Sequence, residues 1–212
     1  MLIIGHKGAA GLATGNTLEA VQVALELGVD MIEIDLHTTK DGVIILHHDK
    51  KINSQNISSS NFKSLFAKNN KLATLEQVIK LVKNKSKLLL DIKPGQDPEP
   101  IISLMAKYKK VDIIVTSFDV KILQYIHNDS PDIELAVLDR WSGVRASYRA
   151  RKFGTKTIIM NHRWLWSGFI KYMSRSGYNL FTYTLNNPDK AQQWASVGLA
   201  GVITDYPDRF LS

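Results

Sequence analysis

Eight short apolar runs punctuate the chain, at residues 2–5, 31–35, 87–92, 112–118, 133–138, 157–160, 180–185 and 201–204. Between them lie amphipathic stretches near 17–27, 74–84, 98–109, 119–128, 142–153, 165–176 and 188–196. The first set has the length and β-branched content of buried strands, the second the spacing of helices with one apolar face. Thr74, ahead of LEQVIKLV, reads as a helix N-cap. Strands alternating with helices predict βαβ units on a parallel sheet, and eight of them predict a closed (β/α)8 TIM barrel. An open doubly wound sheet is the competing architecture. No Gly-x-Gly-x-x-Gly follows the first run, which counts against its dinucleotide-binding form.

One stretch departs from the rhythm. Residues 31–50, MIEIDLHTTKDGVIILHHDK, read as two strands joined by an Asp41-Gly42 turn. Residues 50–73, rich in Asn, Ser and Lys, read as an irregular excursion after the second strand, with one short helix over 62–66. With no internal repeat and no low-complexity linker, residues 1–212 are expected to form a single domain.

Composition narrows the setting. The chain is 44% apolar, enough for one sizeable core, and no apolar run is long enough to span a bilayer. Residues 1–5 lack the charged start and long apolar stretch of a signal peptide, and there are no cysteines, which excludes disulfides and zinc–thiolate sites. A cytoplasmic location is the expectation. The net charge of +7 is unevenly placed. No acid lies between Asp139 and Asp189, an interval holding Arg140, Arg145, Arg149, Arg151, Lys152, Lys156, Arg163, Lys171 and Arg175. This half suits either an anionic partner or an ordinary solvated face. No RNA-recognition consensus appears, so nucleic acid is not an expected partner.

Candidate chemistry gathers where a barrel would place it, at the carboxyl ends of the strands. Glu33 and Asp35 lie two apart and share a side of their strand, while Ile32, Ile34 and Leu36 take the other. Both sides look buried. Like charges repel, and each costs several kcal/mol to bury unpaired. Three resolutions are open: one acid is protonated, a cation lies between them, or Lys7 and Lys93 pair with them. Asp91 ends the third run and could join them, and an all-oxygen set suits Mg²⁺ or Ca²⁺. His6 follows the first strand among small residues, and the next strand ends in His47-His48-Asp49. Adjacent strand positions face opposite ways, so one of His47 and His48 is expected to enter a site. Two histidines beside a cation and lysines suit phosphoryl chemistry, with acid–base work on the histidines and charge neutralisation from the rest.

These pieces resemble the glycerophosphodiester phosphodiesterase family over nearly the whole chain. The resemblance is carried by HKGAAG (6–11), NTLEA (16–20), EID (33–35), TTKDGVIILHHD (38–49), TLEQVI (74–79), LLLDIKP (88–94), SFD (117–119), FTYTLN (181–186) and GVITDYPD (201–208). It implies a TIM barrel with one divalent ion, Mg²⁺ or Ca²⁺, with Mn²⁺ as a further option. It implies hydrolysis of small-molecule glycerophosphodiesters to glycerol phosphate and an alcohol. Glu33, Asp35 and Asp91 would hold the metal, and His6 and His48 would be the acid–base pair. Lys7 and Lys93 would contact phosphate, and Asn16 and Tyr183 would border the substrate. A substrate hydroxyl would attack phosphorus to give a cyclic phosphate, which water then opens.

The chain also departs from the family pattern. The usual His-Arg-Gly is His6-Lys7-Gly8, which keeps the charge and loses the two-pronged fork. Thr14-Gly15-Asn16-Thr17 replaces Pro-Glu-Asn-Thr, Asp91 replaces a glutamate, and Tyr183 stands where tryptophan is frequent. Asp91 with Lys93 two residues on is also the pattern of the related phospholipase D enzymes of spider venom. Lysophospholipid substrates and a lyase that stops at the cyclic phosphate are therefore alternatives, as is a barrel that binds an anionic ligand or a membrane without turnover. Arg163-Trp164-Leu165-Trp166 follows the sixth strand, where a barrel loop faces the mouth. Trp among cations suits peripheral contact with a lipid surface. The competing expectation is that these rings open the next helix and pack inward.

Overall fold

Every second residue of a barrel strand points to the barrel axis and the others point to the surrounding helices, so a strand of this fold is buried on both sides. The computed structural model, which describes residues 1–83, 85–108 and 111–211, shows how the chain meets that demand. Strand β1 (Leu2–Gly5) leads through helix α1 (Leu18–Leu27) to β2 (Met31–Thr38), and β3 (Ile44–Leu46) returns antiparallel along the end of β2. A minimal hairpin of β4 (Lys51–Ile52) and β5 (Gln55–Asn56), helix α2 (Phe62–Phe66) and helix α3 (Leu75–Val82) follow. From there strand and helix alternate strictly: β6 (Lys87–Ile92), α4 (Glu99–Lys107), β7 (Ile113–Ser117), α5 (Val120–Asp129), β8 (Glu134–Asp139), α6 (Gly143–Lys152), β9 (Thr157–Asn161), α7 (Ser167–Arg175), β10 (Asn179–Tyr183), α8 (Pro188–Ala195) and β11 (Gly201–Thr204).

Eight of these strands run parallel and close into a (β/α)8 barrel, because β1 pairs with β2 on one side and β11 on the other. Inside, Ile4, Met31, Leu89, Ile114, Phe181 and Ile203 pack together across the axis. Outside, Ile32, Ile34, Leu36, Leu88 and Leu90 meet the helices, including Val78, Ile79 and Val82 of α3. Thr74 caps α3, and its side chain and that of Gln77 satisfy each other's backbone N–H groups, a reciprocal arrangement worth about 1 kcal/mol.

Two features differ from the sequence reading. The excursion is less irregular than its polar composition suggests, since Ile52, Ile57, Leu65 and Leu72 form a small core around Ile45. The expectation that His47 and His48 are neighbours on a strand is also corrected. β3 ends at Leu46, so both lie in the loop beyond it and strict alternation does not govern which one turns inward.

Candidate active site

The alternation that fills the barrel also builds the site. Along the axis-facing line of four strands an apolar residue is followed two positions later by an ionisable one: Ile4 then His6, Met31 then Glu33 and Asp35, Leu89 then Asp91 and Lys93, Ile203 then Asp205. The apolar layer forms the floor, and the polar layer above it opens at the carboxyl ends of the strands. A cavity of about 90 Å³ lies there, lined by His6, Glu33, Asp35, His48, Asp91 and Lys93, with Thr116, Phe118, Leu138 and Tyr183 completing the wall.

Glu33, Asp35 and Asp91 are buried and present oxygens within 4.8 Å of one another. β2 and β6 are in register with Asp35 directly beside Asp91, which explains the closeness. Lys93 Nζ lies 2.6 Å from Asp91 Oδ2 and also contacts an Asp35 oxygen. Burial pushes the Asp35 carboxyl up, but the Lys93 charge and the hydrogen bonds from Lys93 and Asn16 outweigh it and hold Asp35 below the ordinary range. Asp91 stays above the usual carboxylate value, mainly through burial, despite Lys93. Glu33 is pushed up to about 7, first by burial and then by the neighbouring Asp35. The Lys93 ammonium is held firmly protonated, since Asp91 and Asp35 more than offset its burial.

Pairing with lysine is thus part of the answer to the buried acids, and it is incomplete. Asp91 Oδ1 is buried with no hydrogen-bond partner among the described residues, and Glu33 can ionise fully near neutrality only if more positive charge arrives. An orphaned carboxylate oxygen in an all-oxygen donor set fits a hard divalent ion.

The first loop supports this cluster from behind. Asn16 Nδ2 donates to Asp35 Oδ2 at 2.7 Å and Asn16 Oδ1 accepts from the Asp35 N–H at 3.1 Å, so one amide clamps both ends of the aspartate. The Lys7 N–H donates to Glu33 Oε2 at 2.9 Å, while Lys7 Nζ reaches only to 3.9 Å from Asp35 Oδ2. Lys7 and Asn16 hold φ of 51° and 59°, in the left-handed region that non-glycine residues avoid. Such strain persists only where its surroundings fix it and tends to gather at functional sites. Both residues sit against Asp35, and neither is among those lining the cavity.

His6 Nδ1 lies 2.6 Å from Asp205 Oδ1. Burial lowers the proton affinity of His6, but the hydrogen bond with Asp205 and the charge of Glu33 reverse this and leave its pKa raised. Asp205 is itself held by Asn186 Nδ2 at 2.8 Å and by its own N–H to Asn186 Oδ1. With Nδ1 engaged, Nε2 is the ring nitrogen available to a ligand. His48 reaches the cavity from the loop after β3, half exposed, with Nδ1 at 2.8 Å from Asp49 Oδ1. His47 is not among the cavity-lining residues, and its Nδ1 turns to the backbone of Asp49.

Sequence reasoning singled out neither Asp205 nor His37. Asp205 follows Ile203 by two in the GVITD run, so its place at a strand end was available as a signal. His37 continues the spacing of Glu33 and Asp35 and is buried, with Nε2 3.4 Å from the His48 carbonyl. Burial lowers its pKa to about 4, so it is neutral at ordinary pH.

A TIM barrel carrying carboxylates, histidine and lysine at its carboxyl mouth is the layout of an enzyme, and this donor set is that of a phosphoryl-transfer site. Residues 6–209 match the model of the glycerophosphoryl diester phosphodiesterase family. The chain belongs to this family, and with it to the phosphoric diester hydrolases. It is 29% identical over 232 residues to YhdW of Bacillus subtilis (strain 168), provisionally named a glycerophosphodiester phosphodiesterase, covering 98% of this chain and 96% of that one. Human lysophospholipase D GDPD1 is 20% identical over 267 residues, covering 97% of this chain and 83% of its own. Among solved structures, a phosphodiesterase of Oleispira antarctica in complex with the product sn-glycerol-3-phosphate superimposes with a TM-score of 0.90 at 19% identity, over 99% of this chain and 95% of that one.

Proposed function

We propose that this protein is a metal-dependent phosphodiesterase that hydrolyses glycerophosphodiesters to glycerol phosphate and an alcohol, with lysophospholipids as a related substrate class. One observation carries the reading: three buried carboxylates, Lys93 and two histidines from distant parts of the chain line a single cavity. The Oleispira antarctica structure binds sn-glycerol-3-phosphate in the same fold, and the human relative is named a lysophospholipase D.

Glu33, Asp35 and Asp91 would hold one Mg²⁺, Ca²⁺ or Mn²⁺ ion, which supplies positive charge to the phosphate oxygens. Lys93 adds a fixed cation beside them and Lys7 a more distant one. The hydroxyl next to the diester on the glycerol attacks phosphorus, and His48 takes its proton. His6, whose proton Asp205 helps to retain, gives one from Nε2 to the departing alcohol oxygen as its bond to phosphorus breaks. Water then opens the cyclic phosphate with the two roles exchanged. Asn16 keeps Asp35 aimed, and Tyr183 with Phe118 borders the substrate.

The test is a panel of glycerophosphocholine and lysophosphatidylcholine against Mg²⁺, Ca²⁺ and Mn²⁺, with His6→Ala and His48→Ala as controls. Turnover in the parent protein, absent from both variants, is expected. Both substrates surviving with every metal would sink the proposal and leave a barrel that binds without turnover. Phosphorus NMR separates hydrolase from lyase, since a cyclic phosphate that persists belongs to the lyase.

A further inference from the structure

Helices α6 and α7 and the loops ahead of them carry a surface that the phosphodiesterase site does not use. Among the described residues, six of the thirteen exposed large hydrophobic side chains fall between residues 141 and 172. Trp141 is 54% exposed, Val144 84%, Trp164 54% and Trp166 64%, with Tyr148 and Tyr172 further along the two helices. The expectation that the tryptophans pack inward is therefore corrected, since Leu165 between them takes the buried position. Scattered apolar residues are normal on a surface, whereas a contiguous set of large rings is not.

Contacts join the part of this set around Trp141 and Trp166. The guanidinium groups of Arg140 and Arg145 each stand 5.9 Å from the Trp141 ring centroid. Phe169 lies so close to Gly143 that a Cβ there would stand 2.3 Å from the ring, so glycine lets the start of α6 rest on α7. Phe169 in turn meets Trp166 at a tilt of 39°, with ring centroids 5.3 Å apart. A ledge therefore runs from the loop after β8 to the loop after β9, along the carboxyl rim of the barrel. It connects to the active site, because Phe118 and Leu138 line both the catalytic cavity and an adjoining hollow of about 320 Å³ bounded by Arg140, Trp141 and Arg149.

Charge selects the occupant. The ledge lies within the acid-free interval 140–188, and Asp139 at its edge is buried and already bound by Arg145 at 2.6 and 2.9 Å. Arg163 and Lys171 are exposed and form no ion pair among the described residues. We infer that this rim docks on an anionic phospholipid surface, with the tryptophans at headgroup depth and the cations over the lipid phosphates. Trp favours that boundary because its ring is apolar and its N–H wants water, and each cation near an anionic bilayer adds roughly fivefold to partitioning. The inference rests on the phosphodiesterase reading in one respect: a mouth held against the bilayer can take a lysophospholipid headgroup while its acyl chain stays in lipid.

Co-sedimentation with vesicles provides the test. The protein is expected to pellet with phosphatidylcholine–phosphatidylglycerol vesicles, less with phosphatidylcholine alone, and progressively less as salt is raised. The double variant Trp164→Ser/Trp166→Ser and the charge reversal Arg163→Glu/Lys171→Glu should each weaken binding by roughly tenfold or more. Both pairs are exposed, and circular dichroism will show that both variants remain folded. Turnover of soluble glycerophosphocholine should be unchanged in both, while turnover of lysophosphatidylcholine embedded in anionic vesicles falls. Failure of the parent protein to pellet with anionic vesicles overturns the inference. So does equal binding by both variants, or capture of single-stranded DNA at an ionic strength that leaves vesicles unbound. Vesicle binding by a protein inactive on every diester would leave the docking intact and refute the catalytic reading instead.

Discussion

The mouth of this barrel has two unlike halves. Strands β11, β1, β2 and β6 and the residues just beyond them supply Asp205, His6, Glu33, Asp35, Asp91 and Lys93, tied together by short polar contacts. Strands β7 to β10 supply Thr116, Leu138, Ile159 and Tyr183 to the same cavity, with no charge among them. Thr116 spends its hydroxyl on the Ala136 carbonyl at 3.0 Å, and Tyr183 Oη, near the Arg140 charge, makes no hydrogen bond among the described residues. One half can move protons and hold cations, while the other can shape the space and exclude water. Excluding water strengthens every electrostatic contact on the charged side. The loops of the neutral half are the ones that extend into the basic, aromatic rim.

The sharpest way to break this division is to remove the charged half one group at a time. His6→Ala and His48→Ala should each lower kcat on glycerophosphocholine by roughly 10³-fold, the scale of general acid–base catalysis. His47→Ala should stay within about twofold, because its ring turns to the Asp49 backbone and does not line the cavity. A large loss for His47→Ala with activity kept in His48→Ala would reverse the assignment. Next in size, Asp91→Asn should abolish measurable Mg²⁺ or Ca²⁺ binding by titration calorimetry and lower turnover by roughly 10²-fold. Chelation of the parent protein should do the same, and added metal should restore it. Unchanged calorimetry in Asp91→Asn would mean that Lys93, rather than a metal, answers the buried acids.

A middle-sized effect belongs to Asp205, which touches no substrate in this reading. Asp205→Asn should cost roughly tenfold in kcat by loosening the His6 ring. It also carries a signed pH test. Asp205 raises the proton affinity of His6, so its removal lowers the His6 pKa. If His6 delivers the proton to the leaving alcohol, the alkaline limb of the kcat profile should move to lower pH. An unshifted limb, whatever the loss in rate, would deny Asp205 its positioning role.

The sequence was most legible where one physical demand acts on every residue. Strands buried on both sides must be apolar throughout, so Glu33, Asp35 and Asp91 stood out against Ile32, Ile34 and Leu90 before any fold was known. All eight barrel strands and the seven long helices fall where hydrophobic spacing placed them. Legibility failed where elements are shorter than the period that would reveal them. The two-residue strands β4 and β5 are too brief to show alternation, so the small core of Ile52, Ile57, Leu65 and Leu72 read as loop. It failed again where partners are remote, since nothing local in GVITD announces that Asp205 will meet a histidine 199 residues earlier. The doubled histidine shows a third case. Resemblance alone selected His48 for the site, while the strand argument that only one of the pair would enter does not apply to residues beyond the end of β3.

The smallest effect probes the neutral half. Burial raises the Tyr183 pKa against the opposing charge of Arg140, so the hydroxyl stays protonated, and among the described residues it is a buried group that makes no hydrogen bond. Such a group costs about 1–3 kcal/mol in the folded state, an expense that makes sense if a ligand supplies the missing bond. Tyr183→Phe removes the hydroxyl and keeps the ring that meets Phe118 edge-on at 6.4 Å. The variant should therefore be as stable as the parent or more so, by up to about 1 kcal/mol in urea titration, while KM for glycerophosphocholine rises by roughly threefold to tenfold and kcat changes little. A loss of stability with unchanged KM would instead make the hydroxyl structural. It would also leave the second half of the mouth as packing alone, with recognition of the substrate confined to the charged strands.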